Sequence, residues 1–398
     1  MMIEQILTDP ELSLQYMERI VNNGSPSNFS FAYTTSKETN PFFCTEFFLC
    51  CTKGSANNFI KFGESDYEYF NADLVLLHPD WKSKKTSFPV IDTDILVVPT
   101  ASSRTVKVVG MDAYIKLCYP GYLGRITREL RTEHILSSID ITNAFMQLIH
   151  SDLVPDVFSF FPERCGKVFK QAGGDIGYVI RDGVPVGKQS DRIHALIPAF
   201  SLFSKDWQSS DEPLIIQILR QKRNRIEFLL DQLIFPVLDC YFSCVFNGGI
   251  QPELHSQNFL IGIDDELNVV SIVLRDLESA DKDIEIMAQL NFPFEINSSP
   301  FKCISKNQYN YKIKHSFMYD HKLGEYFFDE LLNCLHQHNV VSKETMQAII
   351  RTYVNQKYGK KLIDFFPEDK QWYKFRNVLV DRAQNSRPYI CFPNPRYR

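Results

Sequence analysis

The chain reads as an α+β protein, and three patterns predict it. Between residues 74 and 117, short apolar runs (73–77, 94–99, 105–109 and 113–117) alternate with turns, as in an antiparallel sheet. Residues 258–263 and 269–274 are apolar and β-branched on either side of the polar turn Asp264-Asp265-Glu266-Leu267-Asn268, as in a hairpin. Residues 214–246, 322–336 and 342–356 read as helical.

The elements can be justified in order. Thr8-Asp9-Pro10-Glu11 is a helix start, with proline at the first helical position, and Leu12, Tyr16 and Ile20 continue an apolar stripe, so a helix is expected over 8–22. Residues 43–53 fit a strand or a short helix equally. After the predicted sheet, 125–150 reads as helix and 176–181 as strand. The polar, turn-rich stretch 204–213 marks a boundary. Pro236 should kink the run 214–246 or split it in two, and Gly248-Gly249 should close it. The expected organisation is an N-terminal region 1–72, a sheet domain 73–205 and a helix-rich domain 206–398.

Composition narrows the functional classes. At 398 residues the chain has room for two or three domains of about 150 residues each. With 44% hydrophobic and 23% charged residues it can build full cores. A net charge of −5 without a basic stripe argues against nucleic acid as partner. Met1-Met2-Ile3-Glu4-Gln5 lacks the basic start and apolar core of a signal peptide. The apolar segment 228–246 is interrupted by Asp231, Gln232 and Asp239, so no membrane span is expected. The ten cysteines form no Cys-x-x-Cys pair, and Cys240 and Cys244 sit at helical spacing in an apolar run, as core thiols do. A reducing, cytoplasmic setting is expected. His336-x-His338 has no acid or thiol near it in sequence and reads as structural.

Chemistry concentrates at the open end of the predicted hairpin. Folding it brings Glu253, His255, Gln257 and Asn258 against Arg275, Asp276 and Glu278. Carboxylates, an imidazole and amides on one sheet edge suit a hard cation and a phosphate. A surface hairpin with a polar edge is the structural alternative. A kinase-like phosphotransferase is another, but the position two after His255, where that catalytic loop needs an aspartate, is Gln257, and an amide is no base. A second group lies in the predicted sheet. Ser102-Ser103-Arg104-Thr105 precedes one strand, Lys116 sits in the next, and Thr127 and Arg131 open the following helix. Hydroxyls and turn amides bind phosphate oxygens, while Arg104, Lys116 and Arg131 would neutralise them. Upstream, His78 and Lys82 of His78-Pro79-Asp80-Trp81-Lys82 offer an imidazole and an ammonium that suit a polycarboxylate.

Taken in order, these motifs resemble the IucA/IucC-like synthetases, siderophore ligases that work without a nonribosomal peptide synthetase. The resemblance rests on His78-Pro79-Asp80-Trp81-Lys82, Ser102-Ser103-Arg104-Thr105, Lys116, Ile126-Thr127 with Arg131, Glu253-Leu254-His255-Ser256-Gln257-Asn258, and Arg275-Asp276. It spans roughly residues 74 to 280, with weaker similarity around 178–181. It implies a cupped hand of thumb, fingers and palm, with a reduced thumb in 1–72, an antiparallel fingers sheet in 73–205 and a helix-rich palm in 206–398. It also implies ATP-dependent adenylation of a carboxylate, commonly citrate, followed by attack of an amine or hydroxyl.

By residue, the resemblance makes Ser102, Ser103, Arg104, Thr105, Lys116, Thr127, Arg131, His255, Gln257 and Asn258 the ATP-binding set. Lys116, Arg131 and His255 act at the transferring phosphate, Glu253 and Asp276 hold Mg²⁺, and His78, Lys82 and Arg275 face the substrate. The expected partners are a small-molecule carboxylate and its nucleophile, with neither nucleic acid nor membrane, and a homodimer is open. A non-catalytic nucleotide-binding homologue is the remaining alternative. Two departures stand out: the chain is shorter than typical members, mostly before His78 and after Asp276, and the gap from Lys116 to Thr127 is a few residues longer.

Overall fold

The computed structural model describes residues 2–22, 46–54, 58–102, 104–123, 126–127, 129–171, 174–206, 208–297, 301–367, 371–375, 389–393 and 397–398. It is an α+β structure built on two main sheets. The larger has eight strands in the order Phe59–Phe62, Cys165–Phe169, Ile176–Asp182, Ala113–Leu117, Thr105–Val108, Ile91–Pro99, Phe47–Lys53 and Leu74–Leu77. Every neighbouring pair in it is antiparallel. Within the ambiguous stretch 43–53, Phe47–Lys53 is a strand while 43–45 lie outside the described residues, and this sheet recruits that strand and Phe59–Phe62 from ahead of residue 73.

The second sheet runs Val186–Gly187, Phe158–Phe160, Val269–Leu274, Phe259–Ile263 and Ala195–Pro198. Its centre is the expected hairpin, with Phe259 opposite Leu274 and Ile261 opposite Ile272. Phe158–Phe160 joins it in parallel, so this sheet takes strands from both sides of the turn-rich stretch at 204–213. The helix Thr132–His150 lies between the two sheets in sequence and packs on the larger one through Ile135, which meets Val168 and Val179. Gly177 permits this close approach: a Cβ there would stand 2.6 Å from the Leu130 carbonyl oxygen. Two main apolar cores result, a large one around the hairpin and the C-terminal helices and a smaller one on the other face of the eight-stranded sheet.

The first long helix, Pro10–Arg19, is capped by Asp9, whose carboxylate accepts from the Leu12 amide. The helical run 214–246 breaks, but not at its proline. Leu214–Gln221 ends before residues 222–224, and helix resumes at Arg225 and continues unbroken through Pro236 to Gly248. The seven residues just before that proline helix, Phe228–Ile234, are π-helical. The wider turn accommodates a ring that would otherwise clash with the carbonyl four residues back. By length and composition Arg225–Gly248 could cross a membrane, yet 61% of its most apolar window is buried inside the protein, and Leu229, Leu233, Val237, Cys240 and Cys244 all lie in the main core. Gly249 ends it in the left-handed conformation, φ 64°. The last part of the chain contributes a helix running from Tyr311 to Gln337, π-helical over Phe317–Asp329, and the helix Lys343–Phe365.

Candidate functional site

The site forms where the eight-stranded sheet meets the open end of the hairpin. Thr105 lies opposite Lys116, and Lys116 opposite Val179, with Arg181 two residues further along that strand opposite Tyr114. Directly opposed residues project from the same face, so Thr105, Lys116 and Arg181 share one side of the sheet. All five residues of Ala113–Leu117 are buried, which places an ammonium inside a strand that is otherwise apolar. From the hairpin side, the chain leaves Leu274 and turns sharply at Asp276, which is left-handed at φ 69°, before the short helical turn Leu277–Ser279. Aspartate tolerates that conformation better than most residues, and here it aims two carboxylates back at the sheet.

Lys116 pairs with Asp276 and reaches Glu278 at 3.2 Å. Arg104 donates to Glu278 at 3.0 Å. Arg181 donates to Asp276 at 3.1 Å and, through two of its nitrogens, to Glu163 at 3.0 and 2.6 Å. Burial pushes the Asp276 carboxyl upward, but Lys116, Arg181 and Arg104 outweigh it and hold it well below the carboxylate range. Glu278 is lowered against the same burial by Lys116 and Arg104. His134, in the first turn of Thr132–His150, borders the group: burial lowers its imidazole while Glu278 opposes.

The second wall is the segment after Gly249. Glu253 pairs with Lys322, from the π-helical stretch. Burial raises its carboxyl, yet Lys322, His255 and Lys302 prevail and bring it down to about 2. His255 stands edge-on to Tyr326 with ring centroids 6.5 Å apart, and its Nδ1 accepts from the Gln257 amide at 3.3 Å. Gln257 and Asn258 are buried. Lys302 donates to the Ser279 carbonyl at 3.0 Å and is raised, against burial, by Asp281, Glu253 and Glu278, which sets its ammonium between the two walls.

The other expected site residues are placed as follows. The Ser102 hydroxyl accepts from the Thr105 amide at 3.0 Å and so shapes the turn that carries Arg104, while Ser103 lies outside the described residues. Thr127 is on the short strand Ile126–Thr127. Arg131 is exposed and pairs with Glu129 at the start of Thr132–His150. Arg275, expected to face substrate, turns instead toward the N-terminal helix and pairs with Glu18, because its Nε is held by the Gln257 carbonyl at 2.7 Å. His78 is fully buried, caps the turn Pro79–Ser83 by accepting from the Asp80 amide at 3.2 Å, and packs edge-on against Tyr119. Lys82 pairs with Asp92 on the exposed surface beside Cys50.

Residues not among the expected site residues complete the site: Glu163, Lys302, Lys322, Glu18 and Arg181, the last at the end of the weakly similar stretch 178–181. Arg181 carried a sequence signal, since a lone arginine at the end of an apolar strand needs a buried partner. The others had none, because their partners lie far away along the chain.

Buried atoms without hydrogen-bond partners test whether these residues fit a nucleotide and its metal. Among the described residues, Nη1 of Arg104 and Oε2 of both Glu278 and Glu163 are buried in that condition. An orphan guanidinium donor beside an orphan carboxylate acceptor suits a phosphate oxygen and a cation, respectively. No group of three or more His, Cys, Asp or Glu side chains placed to hold a metal occurs among the described residues.

No protein-family model and no curated protein matches the chain. Solved structures do. The petrobactin biosynthesis protein AsbB of Bacillus anthracis str. Sterne matches with a TM-score of 0.71 at 16% identity, covering 93% of this chain and 70% of that one. ATP-bound aerobactin synthetase IucA from a hypervirulent pathotype of Klebsiella pneumoniae gives 0.69 at 14% identity over 99% of this chain and 80% of its own. Aerobactin synthetase IucC from the same pathotype gives 0.63 at 12% identity, over 84% and 67%. At these identities the likeness is one of fold. The chain shares the fold of AsbB and of the aerobactin synthetases IucA and IucC, as its motifs led one to expect.

Proposed function

We propose that the chain is an ATP-dependent, AMP-forming ligase that activates a carboxylate, of the citrate or another polycarboxylate class, and joins it to an amine or hydroxyl, as in siderophore assembly. One observation supports this above the rest: Lys116 and Arg181 from one sheet face and Arg104 from the adjoining turn are gathered against Asp276 and Glu278, with the Arg104 Nη1 donor left over. In this reading a substrate carboxylate oxygen attacks the α-phosphorus, the bond to the β-phosphate oxygen breaks, and pyrophosphate leaves. The nucleophile then attacks the acyl carbon, AMP leaves, and the nucleophile's proton is lost to solvent.

Charge accumulates on phosphoryl oxygens in the first step, and fixed cations stabilise it without covalent work by the protein. Lys116 and Arg104 fill that role, Ser102 and Thr105 shape the turn that presents Arg104, and Arg131 and His255 bind from the rim. Asp276 and Glu253 would hold the Mg²⁺, which when bound would neutralise phosphate charge. The same reading takes the eight-stranded sheet as the fingers and the helix-rich half as the palm of a cupped hand, and sets the enzyme in the cytoplasm.

Incubating the protein with Mg·ATP and a panel of polycarboxylates and amines, then separating the nucleotides, tests it. Sustained release of AMP and pyrophosphate should need both acid and nucleophile, while acid alone should release at most a single turnover of pyrophosphate. ADP alone, or no nucleotide turnover across the panel, would overturn the ligase reading.

A further inference from the structure

Glu18 sits in the last turn of the helix Pro10–Arg19, where an acidic side chain opposes the helix dipole. It is nonetheless buried, 3% exposed, and both carboxylate oxygens are used. Oε2 accepts from the Ala101 amide at 2.8 Å, next to the turn that carries Ser102, Arg104 and Thr105. Oε1 takes Nη1 of Arg275. The guanidinium of Arg275 in turn donates from Nε to the Gln257 carbonyl at 2.7 Å, and its backbone amide donates to the Asn258 carbonyl at 2.9 Å. Beside it, Arg19 donates to the Thr100 carbonyl at 2.8 Å, so consecutive residues of one helix grip the strand end just ahead of that turn.

One carboxylate therefore links three candidate site segments far apart in sequence: the Ser102–Arg104–Thr105 turn through Ala101, the Arg275-Asp276 corner directly, and the Glu253–Asn258 segment by way of Arg275. We infer that Glu18 is a positioning residue, which through Ala101 and Arg275 sets the phosphate-facing turn at its working distance from the hairpin end. This rests on the ligase reading for its consequence in catalysis, but the coupling itself is a property of the fold. A buried carboxylate bonded to a guanidinium and a backbone amide is geometrically demanding, and shifts of about 1 Å in a site of this kind cost on the order of 10²-fold in rate.

The test uses Glu18→Ala, Glu18→Gln and Arg275→Ala in the full chain. Hydrogen exchange followed by mass spectrometry reads the coupling without any activity. Glu18→Ala should speed exchange at once in the peptides covering 100–106 and 254–259, well beyond its own helix. In turnover, Glu18→Ala should raise KM for ATP roughly tenfold or more with a smaller change in kcat, and the Glu18→Ala/Arg275→Ala double variant should be no worse than the poorer single one. Glu18→Gln keeps an acceptor for the Ala101 amide and should fall between wild type and Glu18→Ala, which preserves the test if the alanine variant folds poorly. Faster exchange confined to the helix, or folded variants with unchanged KM and additive effects, would overturn the assignment. Wild-type protein that turns over no nucleotide sinks the ligase reading alone, since the exchange experiment still decides the role of Glu18.

Discussion

Lys116 shows how far one side chain's setting governs its role. A lysine within a strand could be a solvated edge residue, but here the ammonium is 1% exposed and bound by Asp276 and Glu278. Lys116→Ala should therefore do two things. It should lower the adenylation rate by about 10²–10³-fold, as loss of one fixed cation among several does. It should also lower the unfolding midpoint, by the equivalent of about 1–3 kcal/mol, because the part-buried carboxylates of Asp276 and Glu278 lose one cation while keeping Arg181 and Arg104. A folded variant with full adenylation activity would remove Lys116 from the site. Glu253 yields a pH test. Its carboxyl falls from 4.5 to about 2 on folding, so the charged form is the one the fold favours. The stability it contributes is complete above about pH 4.5 and is lost as pH falls through about 2, on the order of 3 kcal/mol in all. Urea midpoints measured from pH 6 to pH 2 should fall less steeply in Lys322→Met than in wild type. Parallel curves would mean that Lys322 is not what holds Glu253 charged.

Among the elements, Gly249 joins the longest apolar helix to the Glu253–Asn258 segment. Its left-handed backbone suits glycine, and a Cβ would stand 2.9 Å from Cβ of Ile286 and 3.0 Å from the Asp283 carbonyl oxygen. Gly249→Ala should destabilise by about 1–3 kcal/mol and loosen Glu253 and His255 with it. Equilibrium unfolding alongside KM for ATP checks both, and a neutral substitution would show that the helix end does not set the segment. The Gly248-Gly249 stop was legible because helix ends have a local chemistry, and the hairpin because alternation and a polar turn are local too. Local signals failed where the outcome depended on distant packing. Pro236 looked like the break, yet the π-helical stretch before it carries the helix through, and the real interruption falls at 222–224. The strand Phe47–Lys53 could not be told from helix, since only its pairing with Ile91–Pro99 and Leu74–Leu77 decides it. In the same way His255, Asp276 and Lys116 could be read from motifs, whereas Glu18, Glu163 and Lys322 could not. Their sequence neighbours say nothing of partners 257, 18 and 69 residues distant.

For the molecule as a whole, the site is also the joint between its two sheets. Arg181 comes from the eight-stranded sheet, Asp276 from the end of the hairpin, and Glu163 from the segment linking Phe158–Phe160 to Cys165–Phe169. Arg181→Leu would strand Glu163, which is fully buried, and should cost about 3–5 kcal/mol. It should also lower the cooperativity of urea unfolding if this joint couples the halves, and an unchanged slope and midpoint would count against that. Arg104, Lys116 and Arg181 each already face a carboxylate, and the chain as a whole is negative, at −5. On the proposed ligase reading, the nucleotide therefore arrives at cations that already carry counter-ions. On that reading the nucleotide would trade places with Asp276 and Glu278 at the cations, an exchange of counter-ions in which the displaced carboxylates would be free to accept the metal it brings. Discrimination in such a site falls after encounter, at the swap, where only a ligand carrying both the anion and the cation leaves no charge unmatched.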